Sequence, residues 1–116
     1  MLDIDDSSFI QMPMRWIVEM KSEDVRKMAL LQWRFDFFAS RALEEGNSIR
    51  RCFYESQERL AILFGMSPNS RTKVGQFLKR MESGGYISTT REKMELYKER
   101  VYIVVNNPIL LKKYGL

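Results

Sequence analysis

Two short segments of helical apolar periodicity follow one another between residues 56 and 83, and two strand-like runs come directly after them, up to residue 105. Ser56 is a good N-cap, and a helix from there through Phe64 turns Leu60, Ala61 and Phe64 inward before Gly65 ends it. A second helix opens near Ser70 and runs to about Ser83, with Val74, Leu78 and Met81 as its inward stripe and Gly84-Gly85 as its stop. The link Met66-Ser67-Pro68-Asn69 is longer than a tight helix-to-helix turn, and Ser67, Asn69 or Ser70 can cap the second helix. Tyr86 to Arg91 and Arg100 to Val105 read as strands around a charged hairpin from Glu92 to Glu99. A chain built this way is predicted to be α+β and mostly helical.

The flanks add to that frame. Residues 1–21 read as an irregular or short extended arm. Ser22 is placed to cap a long helix over residues 22–45, with Glu23 and Asp24 suited to the positive end of its dipole and Gly46 closing it. Met28, Leu31, Phe35, Phe38 and Ala42 form one apolar stripe along it, and Leu30, Trp33 and Phe37 a second. Two stripes fit either a deeply buried helix or one that also supports a dimer. Ile49 to Tyr54 reads as a short strand, and Asn107-Pro108 as the cap and first residue of a terminal helix within residues 107–116.

Composition narrows the chemistry. The 116 residues are 45% hydrophobic and 29% charged, the balance of one soluble globular domain. There is no histidine and one cysteine, Cys52, which leaves no zinc site, disulfide, Ser-His-Asp triad or Cys-His pair. Gly84-Gly85 ends a helix and does not open one after a strand, as a phosphate loop would. The acid groups Asp3-Asp5-Asp6 and Glu23-Asp24 read as a solvated terminus and helix-start chemistry. The chain is therefore expected not to be an enzyme and to carry no metal or cofactor. An acidic start and the absence of a long apolar run point to no membrane segment and a cytoplasmic, DNA-associated location.

Charge is uneven. Residues 1–45 hold 6 Lys/Arg and 9 Asp/Glu, a net of −3, whereas residues 46–116 hold 13 and 6, a net of +7. A basic half that coincides with a helix–turn–helix pattern points to a polyanion.

The run Ser56 to Val105 resembles the winged helix-turn-helix family. Val74, Leu78, Met81, Gly85 and Ile87 occupy the apolar, glycine and first-wing-strand places that mark that family's recognition helix and exit. The stretch from Val101 to Leu111, with its Asn107-Pro108, is similar to the wing strand and exit of plasmid and phage replication initiators, and Phe9-Ile10-Gln11-Met12-Pro13 is compatible with them. The resemblance implies double-stranded DNA as partner and a role as transcriptional regulator or as a mobile-element replication or partition protein.

The DNA-facing candidates follow from helix geometry. A helix enters the major groove with its N-terminal side chains nearest the base edges. Arg71, Thr72, Lys73 and Gln76 take those positions, Ser70 and the first-turn N–H groups suit a phosphate, and Lys79 and Arg80 suit backbone further along. Gly75 inside the helix reads as a point of close helix packing. The wing contributes Arg91, Lys93, Lys98 and Arg100; Glu92, Glu95 and Glu99 among them also fit a merely solvated hairpin. Arg50 and Arg51 read either as phosphate contacts or as partners of Glu44 and Glu45. A homodimer joined through the long helix would span two half-sites. The competing class is a protein-interaction adaptor that uses Trp33 and Phe37, with Arg71 and Lys73 held in ion pairs.

Overall fold

The computed structural model describes residues 10–96 and 98–116. The acidic stretch from Met1 to Asp6 and the Phe9 end of the arm lie outside the described residues. Helices α1 (Met14–Glu19), α2 (Ser22–Glu45), α3 (Gln57–Leu63) and α4 (Arg71–Ser83) precede an antiparallel hairpin of β1 (Ile87–Lys93) and β2 (Glu99–Val105), and α5 (Pro108–Lys113) follows. The class is α+β and helix-rich, with a helix–turn–helix running into a hairpin.

The arm is not wholly irregular: its end folds into α1. Pro13 stands at the N-cap with its carbonyl accepting the Trp16 N–H at 3.0 Å, and Trp16 is buried edge-on against Tyr86, ring centroids 5.4 Å apart. Six residues are too few for helical periodicity to show in the sequence.

α2 has the predicted bounds, but Lys21 holds the N-cap position without a side-chain bond, and Ser22 is already helical. Gly46, at φ 73°, ends it by returning two backbone bonds to the last turn. The buried stripe is Met28, Leu31, Phe35, Ala39 and Ala42. Phe38 is rotated to the flank, where it stacks on the buried Phe53 at 5.6 Å.

Ile49 to Tyr54 is not a strand. Ile49–Arg51 form a 3-10 turn closed by the Arg51 N–H on the Ser48 carbonyl, and the Cys52 thiol donates back to Ile49. Burial of Ile49 and Phe53 on one side wins over strand propensity here, and one backbone bond from Ile103 N–H to the Phe53 carbonyl, 2.9 Å, ties the segment to β2.

Ser56 caps α3, its hydroxyl accepting the Arg59 N–H at 3.1 Å, and Gly65 at φ 76° turns the chain away. The link is compact: Ser67 accepts Asn69 N–H with its hydroxyl and Ser70 N–H with its carbonyl. Ser70 is the N-cap residue of α4 by position, with no side-chain cap bond. The inward stripe of α4 is Val74, Phe77 and Met81, not Leu78. Phe77 meets Phe64, the residue that follows α3, edge-on at 5.3 Å, and this contact sets the rotation of the helix; Leu78 stays half-buried toward the hairpin. Gly75 is the close approach the sequence suggested, since a Cβ there would sit 3.3 Å from the Gln57 amide.

β1 and β2 pair in a register from Ile87↔Val105 to Lys93↔Glu99; β1 begins one residue later and ends two later than predicted, and β2 begins one residue earlier. Asn107 caps α5 by accepting the Ile109 N–H at 3.0 Å. It is fully buried, and its amide donates to the Gln11 carbonyl at 2.7 Å and to the Gln32 side chain at 3.0 Å, while Gln32 donates to the same Gln11 carbonyl. Among the described residues no helix is long and apolar enough to cross a membrane.

Candidate nucleic-acid interface

With Val74, Phe77 and Met81 inward, the opposite side of α4 carries Thr72, Gln76, Lys79 and Ser83, spaced so that they share one face. All four are exposed. Lys73 is also exposed and forms no ion pair with a described residue. No side chain caps the first turn of α4, so its leading N–H groups stay open beside the half-buried Ser70.

Besides Lys73, two of the predicted cations lie off this row. Arg71 stands on the flank facing α3, 3.6 Å from Glu58, with both side chains largely exposed. Arg80 stands on the flank facing α2 and reaches Asp24 at 3.0 Å. Asp24 is buried at 7% exposure, so Arg80 is held to the protein and is not the free phosphate contact that its position in the sequence suggested.

The hairpin divides in a similar way. Lys93 and Lys98 project without an ion pair to a described residue. Arg91 lies 3.6 Å from Glu99 on the facing strand, so part of the wing charge is neutralised within the hairpin. Arg100 lies over the Tyr54 ring at 4.0 Å and donates to the Tyr102 hydroxyl at 3.3 Å, a bond that pushes the guanidinium pKa further up. Arg51 pairs with Glu92 at 3.6 Å rather than with Glu44 or Glu45, and Arg50 is exposed and forms no ion pair with a described residue.

The sequence reading missed the Tyr54–Arg100–Tyr102 group and a cleft of about 510 Å³ between α4 and the hairpin. The aromatic Tyr54 just before a serine cap was the available signal. Its meaning depended on strand pairing that the sequence does not reveal. Around the wing base, the Tyr86 hydroxyl donates to Glu19 at 2.8 Å, and that bond raises its pKa.

No protein-family model matches this chain, and no curated protein matches it either. A solved structure described as "N-Terminal domain of DNA binding protein" superposes on it with a TM-score of 0.55 and 16% sequence identity, covering 95% of this chain and 89% of that one. At that identity the likeness is one of fold, and it extends over almost all of both chains.

Proposed function

We propose that this chain binds double-stranded DNA, with α4 as the recognition helix of a winged helix-turn-helix and the β1–β2 hairpin as its wing. The observation that carries the reading is the exposed row Thr72–Gln76–Lys79 on a helix whose other sides are fixed by Phe77 and by the Arg80–Asp24 pair. Gln76 offers the two-pronged amide that adenine accepts, Thr72 a methyl and a hydroxyl, and Lys79 a phosphate contact. Lys73, Lys93 and Lys98 extend the cationic surface to either side. Support comes also from the fold shared with a domain of a protein described as DNA-binding.

The function we infer is sequence-specific binding as a transcriptional regulator, or as a replication or partition protein of a mobile element, with no catalytic step. The active form is a homodimer. Leu30, Trp33 and Phe37 recur at three- and four-residue spacing along α2; the first two are half-buried against the core, and Phe37 is 45% exposed, with Arg34 and Arg41 flanking its ring. That spacing is the seam a second helix would fill.

The test is fluorescence anisotropy of random-sequence duplex at several salt concentrations. With about four lysines meeting phosphates, log affinity should fall against log salt with a slope of roughly −3 to −4. An adaptor role is the second reading, favoured by the Arg71–Glu58 pair and by the exposure of Phe37. Absence of duplex binding at low salt would decide for it.

A further inference from the structure

The cleft beside the outward row of α4 has features that duplex binding does not use. At about 510 Å³ it falls within the range of small-molecule sites. Three walls enclose it: the stretch from Tyr54 to Gln57 that leads into α3, the Gly75–Leu78–Glu82 flank of α4, and the hairpin face bearing Thr89, Val101 and Ile103. Its floor is apolar, made by Leu78, Val101 and Ile103 with Met94 at the edge. A phosphodiester is held by cations and N–H groups and gains nothing from such a floor.

Two of the three carboxylates on the walls meet a cation, and the third accepts a hydroxyl. Glu55 takes Arg34 at 3.1 Å, Glu82 takes the Thr89 hydroxyl at 2.7 Å, and Glu99 takes Arg91 at 3.6 Å. Lys79 on α4 and Lys98 on the hairpin also line the cleft, and neither forms an ion pair with a described residue. The cleft thus combines an apolar floor with Lys79, Lys98 and Arg100, which outnumber Glu82, the lining carboxylate that no described cation meets.

We propose that this cleft binds a small amphipathic anion, a flat apolar body carrying one carboxylate- or sulfonate-like group. The body lies on Leu78, Val101 and Ile103, and the charge is met by Lys79 and Lys98. Because Lys79 also belongs to the row assigned to duplex, the bound anion competes with DNA. Only this competition rests on the DNA-binding reading; the site itself does not.

The full chain is titrated with 8-anilinonaphthalene-1-sulfonate and followed by fluorescence, first without DNA. The expected result is saturation at one probe per chain, with Lys79→Glu and Lys98→Glu each weakening binding by about tenfold. Val101→Glu removes the bright complex, while Val18→Ser, at an apolar residue of α1 that is 77% exposed, leaves it unchanged. Should Val101→Glu fail to fold, Lys98→Glu, on the exposed hairpin, still decides the matter. Binding that does not saturate, that ignores both lysine changes, or that falls equally in Val18→Ser overturns the proposal. Duplex is then added, and release of the probe is expected. A chain that binds probe but no duplex retains the cleft and loses the DNA reading; duplex binding without probe binding does the reverse. Duplex that binds without displacing the probe overturns the competition.

Discussion

The Arg80 guanidinium lies 3.0 Å from the Asp24 carboxylate, joining the second half of α4 to the first turn of α2. Asp24 is the inner partner, with a side chain 11% exposed, while that of Arg80 is 52% exposed. Replacing Asp24 by Asn removes the attraction but keeps a hydrogen-bonding group of the same shape. The folded chain should lose about 1 kcal/mol or less, since the outer partner is well screened. Freed from its anchor, Arg80 becomes available to phosphate, and the salt slope of duplex binding should steepen by about one counterion. Melting curves and anisotropy on one sample read both effects. A drop in stability with an unchanged salt slope would mean that Arg80 never comes within reach of DNA.

The outward row of α4 predicts a division of labour. Gln76→Ala should relax preference at one base pair by ~1–3 kcal/mol, and Arg71→Ala should do the same at a neighbouring pair once Glu58 is displaced. Lys79→Ala should weaken binding to all sequences alike. Selection of bound sequences from a random pool for each variant checks this, and three indistinguishable profiles would remove the assignment of roles.

The second stripe of α2 predicts a dimer that one charge breaks. Phe37→Asp places a carboxylate where the seam would close, and light scattering should then give the 13.8 kDa mass of a single chain, against twice that for the unaltered protein. An unaltered chain that remains monomeric at high concentration excludes the dimer.

Alkaline pH should destabilise the fold through Tyr114. Burial first, and then its hydrogen bond to the Asp36 carboxylate, hold the Tyr114 hydroxyl above the usual tyrosine value. The folded chain therefore keeps a proton that the unfolded chain releases near pH 10. This contribution is complete below that pH and is lost as pH climbs through the raised, folded-state value. Tyr114→Phe should cost about 1 kcal/mol near neutrality, through the bonds to Asp36 and Ser40, and should make the alkaline decline shallower. Denaturant titrations at two alkaline pH values and at neutrality measure it, and parallel curves for both proteins would show that Tyr114 does not titrate in the fold.

The elements bounded by caps and glycines were legible in the sequence. Ser56, Gly46, Gly65 and Asn107 act locally, through their own backbone angles and the next few N–H groups, so each announces itself without knowledge of the fold. What the sequence did not reveal depended on partners far along the chain. Phe77 displaced Leu78 as the inward residue because Phe64 packs against it, and Arg80 was lost to the interface because Asp24 lies 56 residues away. Arg100 was likewise claimed by Tyr54 across a pairing that no local pattern encodes. The outward residues Thr72, Gln76 and Lys79 were legible because their placement follows from helical spacing alone.

The buried amides of Gln32 and Asn107 share the single carbonyl of Gln11. Neither the approach to α1 nor the exit from β2 can peel away without leaving an amide unsatisfied in the interior. Local fraying is thereby converted into an all-or-none event. In hydrogen exchange, the Ile109 amide, bonded to the Asn107 side chain, should open together with the middle of α2 instead of exchanging like a terminus.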